Sequence, residues 1–299
     1  MIVAPSNSGT VSTAYRCTPV LGILRRLLSS TVFGLTLALL AGVVPSGAAT
    51  FHSTLGSVTA TLTYTGKSTD PKGTTITVTK KGRVIYRAAV RASMCGRLCW
   101  PEPMSGSFSG NPVRVVHLEA GAPDVVIGLY SGGAHCCFVD LVLWPKSPSR
   151  LGAVSIVLGD PGALVKALPG SPYSAFVTAD DSFAYKFTDF AASGLPIKIL
   201  RFKAGRFVNV TGQYSSMIRA DATRWLTAYR QTASSHYDDS VGLVAAWVAD
   251  EYLLGRASEA NHYLHLQVAA GHLHSLLNPS ISGAQFVTQL HKFLQREGY

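Results

Sequence analysis

A succession of short alternating segments between residues 58 and 210 constrains the fold of this chain more than any other feature. Residues 58–65 place an apolar side chain at every second position, which is typical of a β-strand with one buried face. Gly and Pro turns separate these segments. The segments are 58–65, 74–79, 84–88, 113–118, 124–130, 138–144, 153–158, 175–179, 184–187, 197–203 and 207–210. This pattern predicts a β-rich domain over residues 50–210, either a sandwich or part of a propeller-like stack of sheets.

Two tight hairpins are predicted within this region. Lys80-Lys81-Gly82-Arg83 joins two strand segments, and Gly82 supplies the positive φ that a two-residue turn needs. The segment 207–210 is predicted to pair back across Ala204-Gly205.

From residue 211 the apolar spacing becomes helical, which predicts about four helices over residues 211–299. Gly255 is expected to end the second helix and Ser258 to cap the third. The segment Ser282-Gly283-Ala284-Gln285 predicts a capping box at the start of the last helix. The predicted class is therefore α+β, a β-rich domain followed by a C-terminal helical region.

Residues 1–49 have the composition of an export signal peptide. They contain no acidic residue, carry Arg25-Arg26 before the apolar run 31–44, and end in small residues that predict cleavage near Ala48 or Ala49. A retained membrane anchor is the alternative, although the run is shorter than the ~20 residues of a spanning helix. We therefore expect a secreted or envelope-associated protein after signal cleavage, by an export route that stays open.

The charge balance favours anionic partners. The chain has 26 Lys and Arg against 16 Asp and Glu, a net charge of +10, and removing the three arginines of residues 1–49 leaves 23 basic residues. Such an excess favours association with anionic cell-envelope polymers or lipid head groups; a merely soluble basic surface is the alternative. Nucleic acid is excluded as a partner by the predicted export and by the lack of a basic helix with interleaved aromatic residues.

Four cysteines predict a disulfide framework, since Cys17 would be removed with the signal peptide. They are Cys95, Cys99, Cys136 and Cys137. Adjacent Cα atoms are about 3.8 Å apart, less than the ~4.4 to 6.8 Å of ordinary disulfides. The favoured arrangement bridges each residue of the adjacent pair to one of the upstream pair; a bond between the adjacent cysteines and a free thiol pair are the alternatives.

Three polar residues are candidate functional residues. His135 precedes Cys136 and Cys137, and a histidine beside a cysteine can activate a thiolate nucleophile, although a disulfide would abolish it. Asp180 and Asp181 can serve as paired carboxylates for acid–base chemistry, or simply form a turn.

The segment 113–137 resembles a family of secreted actinobacterial proteins of unknown function. The resemblance rests on Tyr-Ser-Gly-Gly-Ala-His-Cys-Cys at 130–137 and continues through 179–185 and 191–196. The loop before this motif is more distantly similar to the calcium loops of FG-GAP or VCBS-type repeats of integrin-like propellers. A weak internal repeat, in which 117–127 aligns with 167–177, suits a blade-sized unit; coincidence in a Gly- and Pro-rich chain is the alternative.

The chain departs from that resemblance in its metal ligands. Calcium needs several oxygen ligands, whereas the first loop retains only Glu119 and Asp124 and the second has no carboxylate between Ala167 and Ala179. We therefore expect neither a metal nor a cofactor, with a weak calcium site at the first loop as the alternative.

Together these patterns favour a disulfide-stabilised binding or structural module of the envelope over an enzyme. The alternative is a cell-wall or polymer-processing enzyme that uses His135 with Cys136 or Cys137, or Asp180 and Asp181.

Overall fold

The computed structural model describes residues 47–92, 99–103, 110–134, 136–147, 150–233, 239–275 and 279–299, at position 136 for the backbone alone. Three antiparallel sheets precede four helices, which confirms the predicted α+β class. The boundary predicted near residue 210 falls between the last strand and the first helix, and the described residues belong to one compact unit. Residues 1–46 of the predicted signal peptide lie outside the described residues.

Sheet 1 is a meander of four strands in chain order. They are β1 (Ala48–Leu55), β2 (Val58–Lys67), β3 (Asp70–Lys80) and β4 (Arg83–Ala89). Along β2, alternate apolar side chains such as Ala60 and Leu62 are buried, while the threonines between them are partly exposed. One face therefore packs in the interior and the other meets solvent, as the alternation predicted. Sequence reasoning did not predict β1, which begins at the expected cleavage site.

Sheet 2 is the middle sheet. Its strands are β5 (Trp100–Pro101), β6 (Val113–Val116), β7 (Asp124–Gly133), β8 (Cys136–Ser147) and β9 (Arg150–Gly159). Strands β5 and β6 pair with β7, β7 pairs with β8, and β8 pairs with β9. Residues 124–129 of β7 are all buried, because the apolar run 125–129 is covered on both faces of the sheet.

Sheet 3 is again a four-stranded meander. It consists of β10 (Leu164–Ala167), β11 (Ser174–Ala179), β12 (Ile197–Lys203) and β13 (Arg206–Asn209). The strand predicted at 184–187 is wrong, because these residues form turns after a short 3-10 helix at 181–183. The rings of Phe183 and Phe187 instead enter the helical core, where both lie edge-on to Phe293.

The sheets stack in the order 1, 2, 3 through two apolar cores. Leu62 and Ile76 of sheet 1 belong to the same core as Ile127 of sheet 2. On the other face of sheet 2, Val126 packs in a core with Phe176 of sheet 3. Consecutive residues of β7 thus point to opposite neighbours, because strand side chains alternate between faces.

Four helices follow sheet 3, and the first of them packs against its outer face. They are α1 (Ser215–Ala233), α2 (Val241–Leu253), α3 (Ala257–Ala269) and α4 (Gly283–Glu297). Ile199 of β12 lies in a small core against which Met217 of α1 packs. In the described part of the chain, no helix is long and apolar enough to cross a membrane.

The predicted helix ends are partly correct. Gly255 follows α2 in the left-handed region, with φ of 71°, as expected for a helix stop. Ser258 does not cap α3, because the N-cap is Arg256 and Ser258 lies inside the helix. Ser282 is the N-cap of α4, but its hydroxyl accepts the N–H of Ser275 at 3.0 Å, so the predicted capping box does not form.

Candidate functional site

Three hairpin connections lie at one end of the stacked sheets. Each joins the last two strands of its sheet, and the residues that close them are paired as Lys80 with Arg83, Ser147 with Arg150, and Lys203 with Arg206. In the first and third turns both central residues have positive φ, which is the geometry of a tight two-residue hairpin. The first and third turns thus share one geometry, whereas residues 148 and 149 of the second lie outside the described residues.

The turns and the residue beside them carry seven cations, which we call the basic ridge. These are Lys80, Lys81, Arg83, Lys146, Arg150, Lys203 and Arg206, all exposed. Among the described residues, none of the five ion pairs involves a ridge cation. Clustered cations without compensating acids create a local positive potential that attracts anions.

Contacts between sheets hold the three turns together. Lys80 of the first turn and Arg150 of the second line the same cavity. The ring of Trp144, in the strand that leads to the second turn, lies against Gly205 of the third. Glu119, in the loop between β6 and β7, accepts the N–H of Ala204 at 3.0 Å.

The cavity beneath the ridge has a volume of about 300 Å³ and lies between sheets 1 and 2. Its walls are mainly apolar, while its lining also includes ridge cations and two acids, Glu119 and Asp124. Asp124 is fully buried, and its Oδ2 accepts the N–H of Leu118 at 3.0 Å. Burial raises the pKa of Asp124 to about 6, because a charged carboxylate is poorly solvated there.

The first of the two loops that resemble calcium loops thus uses its two acids for backbone contacts. Glu119 holds the third turn, and Asp124 holds the residue before Glu119. Among the described residues, no group of three or more His, Cys, Asp and Glu side chains is placed to hold a metal ion. The arrangement fits a structural loop that fixes the position of the ridge.

The cysteine motif is only partly within the described residues. Cys99 and Cys137 are disulfide-bonded. Cys95, His135 and the side chain of Cys136 lie outside the described residues. A disulfide sulfur is not a thiolate, so Cys137 in this state cannot act as a nucleophile. The connectivity of the four cysteines stays a prediction.

Asp180 has the contacts of a structural residue. Its Oδ1 lies 3.2 Å from both the backbone N of Ser182, which it caps, and Nζ of Lys198. Its Oδ2 accepts the hydroxyl proton of Tyr299 at 3.0 Å. The carboxylate therefore connects the end of β11 with β12 and with Tyr299, two residues beyond α4.

Asp181 makes a separate contact rather than sharing these partners. Its Oδ1 accepts the N–H of Asp160 at 3.3 Å, and its carboxyl group covers the left-handed Gly159. Burial raises the pKa of Asp181 above its usual value. Asp180 and Asp181 also line a depression between β9, β11 and β12. The groups that they contact belong to the protein itself.

Sequence reasoning predicted the first and third hairpins of the ridge but not the ridge itself. The sequence does hold a signal for it, because Lys-x-Gly-Arg occurs at both 80–83 and 203–206. The motif predicts two tight basic turns, whereas their proximity depends on the stacking of the sheets.

Comparison with known proteins gives two weak relatives. No family model and no solved structure matches the chain. A protein of Sinorhizobium fredii, named only as uncharacterized, is 26% identical over 174 residues, which is 55% of this chain and 27% of that protein. A probable thylakoid lumen protein of Synechocystis is 24% identical over 165 residues, which is 52% of this chain and 48% of that protein. The chain thus spans about a quarter of the length of the Sinorhizobium protein and about half of the length of the Synechocystis protein.

Proposed function

We propose that this protein is an exported binding module that holds phosphate-bearing anionic polymers of the cell envelope on its basic ridge. The observation that carries the proposal is the placement of three hairpin connections near one another, each with exposed cations. A polymer with regularly spaced phosphates can contact several turns at once, and each added contact acts at high effective concentration.

The energetics favour a weak but multivalent interaction. A single exposed charge pair contributes about 0.2–1 kcal/mol, so one turn alone binds little. Contacts at all three turns add up to an affinity that one turn cannot give, and salt screening will weaken it. We therefore expect polymer binding that falls steeply as ionic strength rises.

Export is supported by two observations of different kinds. Residues 1–49 have the pattern of a signal peptide, and the Synechocystis relative is named as a thylakoid lumen protein. The disulfide-bonded state of Cys99 and Cys137 agrees with an oxidising compartment. The bonded cysteines would stabilise a protein that works outside the cytoplasm.

A matched pair of variants tests the proposal. The ridge variant replaces Lys81, Arg83, Arg150 and Arg206 by glutamine, whereas the control variant replaces Lys67, Lys166, Arg219 and Lys292, four exposed cations outside the ridge. Net charge falls equally in both. We expect the ridge variant to bind soluble polyphosphate at least about tenfold more weakly than the control variant at low salt.

Equal losses in the two variants would show that net charge, rather than the ridge, attracts the polymer. Anionic phospholipid vesicles provide the second arm of the measurement. Binding to vesicles but not to polyphosphate would assign the ridge to lipid head groups, and binding to neither would refute the proposal.

A further inference from the structure

The cavity beneath the basic ridge continues the apolar core to the surface. Val58 and Val78 from sheet 1 face Val125 and Leu143 from sheet 2 across it, and all four side chains are at most 4% exposed. With Ile85 and Leu151 they form an apolar lining typical of small-molecule sites, which bury most of a ligand. A ligand that fills this space must present hydrocarbon to its walls.

The mouth of the cavity has the opposite character. Lys80 and Arg150 lie at its edge with exposed side chains. An anionic group at the mouth can therefore contact both cations while it stays in contact with water. Glu119 is engaged with the backbone of Ala204. The buried carboxyl group of Asp124 also lines the cavity and would repel an anion placed near it. A negatively charged head group is therefore stable at the mouth, and its hydrocarbon tail in the cavity.

We propose that this cavity binds the acyl chain of an anionic amphiphile, with the head group held by Lys80 and Arg150 at the ridge. The proposal rests on the proposed function for its head-group contacts, because these cations belong to the basic ridge. It adds a ligand class that a polymer-binding ridge alone does not require, namely a single hydrocarbon chain that ends in a carboxylate or a phosphate.

Affinity should depend on chain length until the cavity is full. Burying one methylene contributes about 0.8 kcal/mol, which corresponds to about a fourfold change in Kd. We would titrate the unmodified protein with saturated fatty acids of increasing length, below their micelle concentrations, by calorimetry. The expected result is about fourfold tighter binding for each added methylene, followed by a plateau. Undetectable binding, or tightening without a plateau, would overturn the proposal.

Two substitutions locate the ligand. Ala122→Phe places a ring at the lining loop of the cavity, and Ala89→Phe adds the same ring at an exposed position of β4 outside the lining. We expect the first variant to raise the Kd for fatty acid at least about tenfold and the second to leave it unchanged. A fatty alcohol of equal length should bind about two- to fivefold more weakly than the acid, because it lacks the charge.

The experiments separate this proposal from the ridge function. A protein that binds polyphosphate but shows no chain-length dependence would keep its proposed function and lose the cavity ligand. A protein that binds fatty acids with a plateau but does not bind polyphosphate would keep the cavity ligand and lose the proposed function. Ala122→Phe should retain polyphosphate binding, whereas loss of both ligands in that variant would contradict a separate acyl site.

Discussion

Replacing Asp140 by asparagine will make the stability of this protein less dependent on pH. Asp140 lies in the middle of β8, the second strand from the edge of the middle sheet, and its neighbours Val139 and Leu141 face sheet 1. Because side chains alternate along a strand, Asp140 points toward sheet 3. It is 3% exposed, and within the described part of the chain its Oδ2 has no hydrogen-bond partner.

Burial raises the pKa of Asp140 from its usual value near 3.8 to about 7, because apolar surroundings disfavour the charged form. A shift of this size corresponds to about 4 kcal/mol. The raised pKa means that the folded state binds more protons than the unfolded chain at intermediate pH. Its contribution to stability is therefore fully present below the unfolded pKa and is lost as the pH rises through about 7.

The measurement is the free energy of unfolding by urea at about pH 5 and at about pH 8. Between these two pH values, the variant should lose about 3 kcal/mol less stability than the unmodified protein. Asparagine adds its own burial cost, but that cost does not change with pH. Asp70→Asn is the control, since that side chain is 68% exposed. Parallel pH profiles for Asp140→Asn and the unmodified protein would refute the reasoning. The variant will keep some pH dependence, because burial also raises the pKa of Asp250, to about 9.

Two further substitutions test the contacts that join the layers. Tyr299→Phe removes the hydroxyl that donates to the buried Asp180, and we expect a loss of about 1–3 kcal/mol in the free energy of unfolding; an unchanged melting temperature would show that the contact is not stabilising. Gly205→Ala forces a methyl group against Trp144, whereas Gly170→Ala shares the positive φ in open space, so the first should cost about 1–3 kcal/mol more than the second. Equal losses would mean that backbone strain alone accounts for both.

The strands of sheets 1 and 2 were largely predictable because their signal is local. Alternation along 58–65 identified β2, and the mainly apolar segment 124–130 identified β7. The strand predicted at 184–187 failed for a tertiary reason. Phe183 and Phe187 find their partners on α4, so the helical core, rather than a sheet, determines the backbone there.

For Asp180 and Asp181, the structure adds partners that the sequence does not show. Asp180 and Asp181 are adjacent in sequence, which suggested acid–base chemistry, but a hydroxyl 119 residues away occupies one oxygen of Asp180. Sequence spacing cannot show such a partner. Conversely, the sequence predicts a hairpin at 80–83 but not the ridge, because the other turns of the ridge come from distant parts of the chain.

The sequence by itself determined the α+β class, most strands and the four helices, because each depends on side-chain periodicity and turn residues within a few positions. It also determined the excess of positive charge. Only the tertiary structure decided where that charge acts. The three sheets stack because both faces of sheet 2 are apolar, and this burial of apolar surface brings the turns at 80–83, 147–150 and 203–206 to one end.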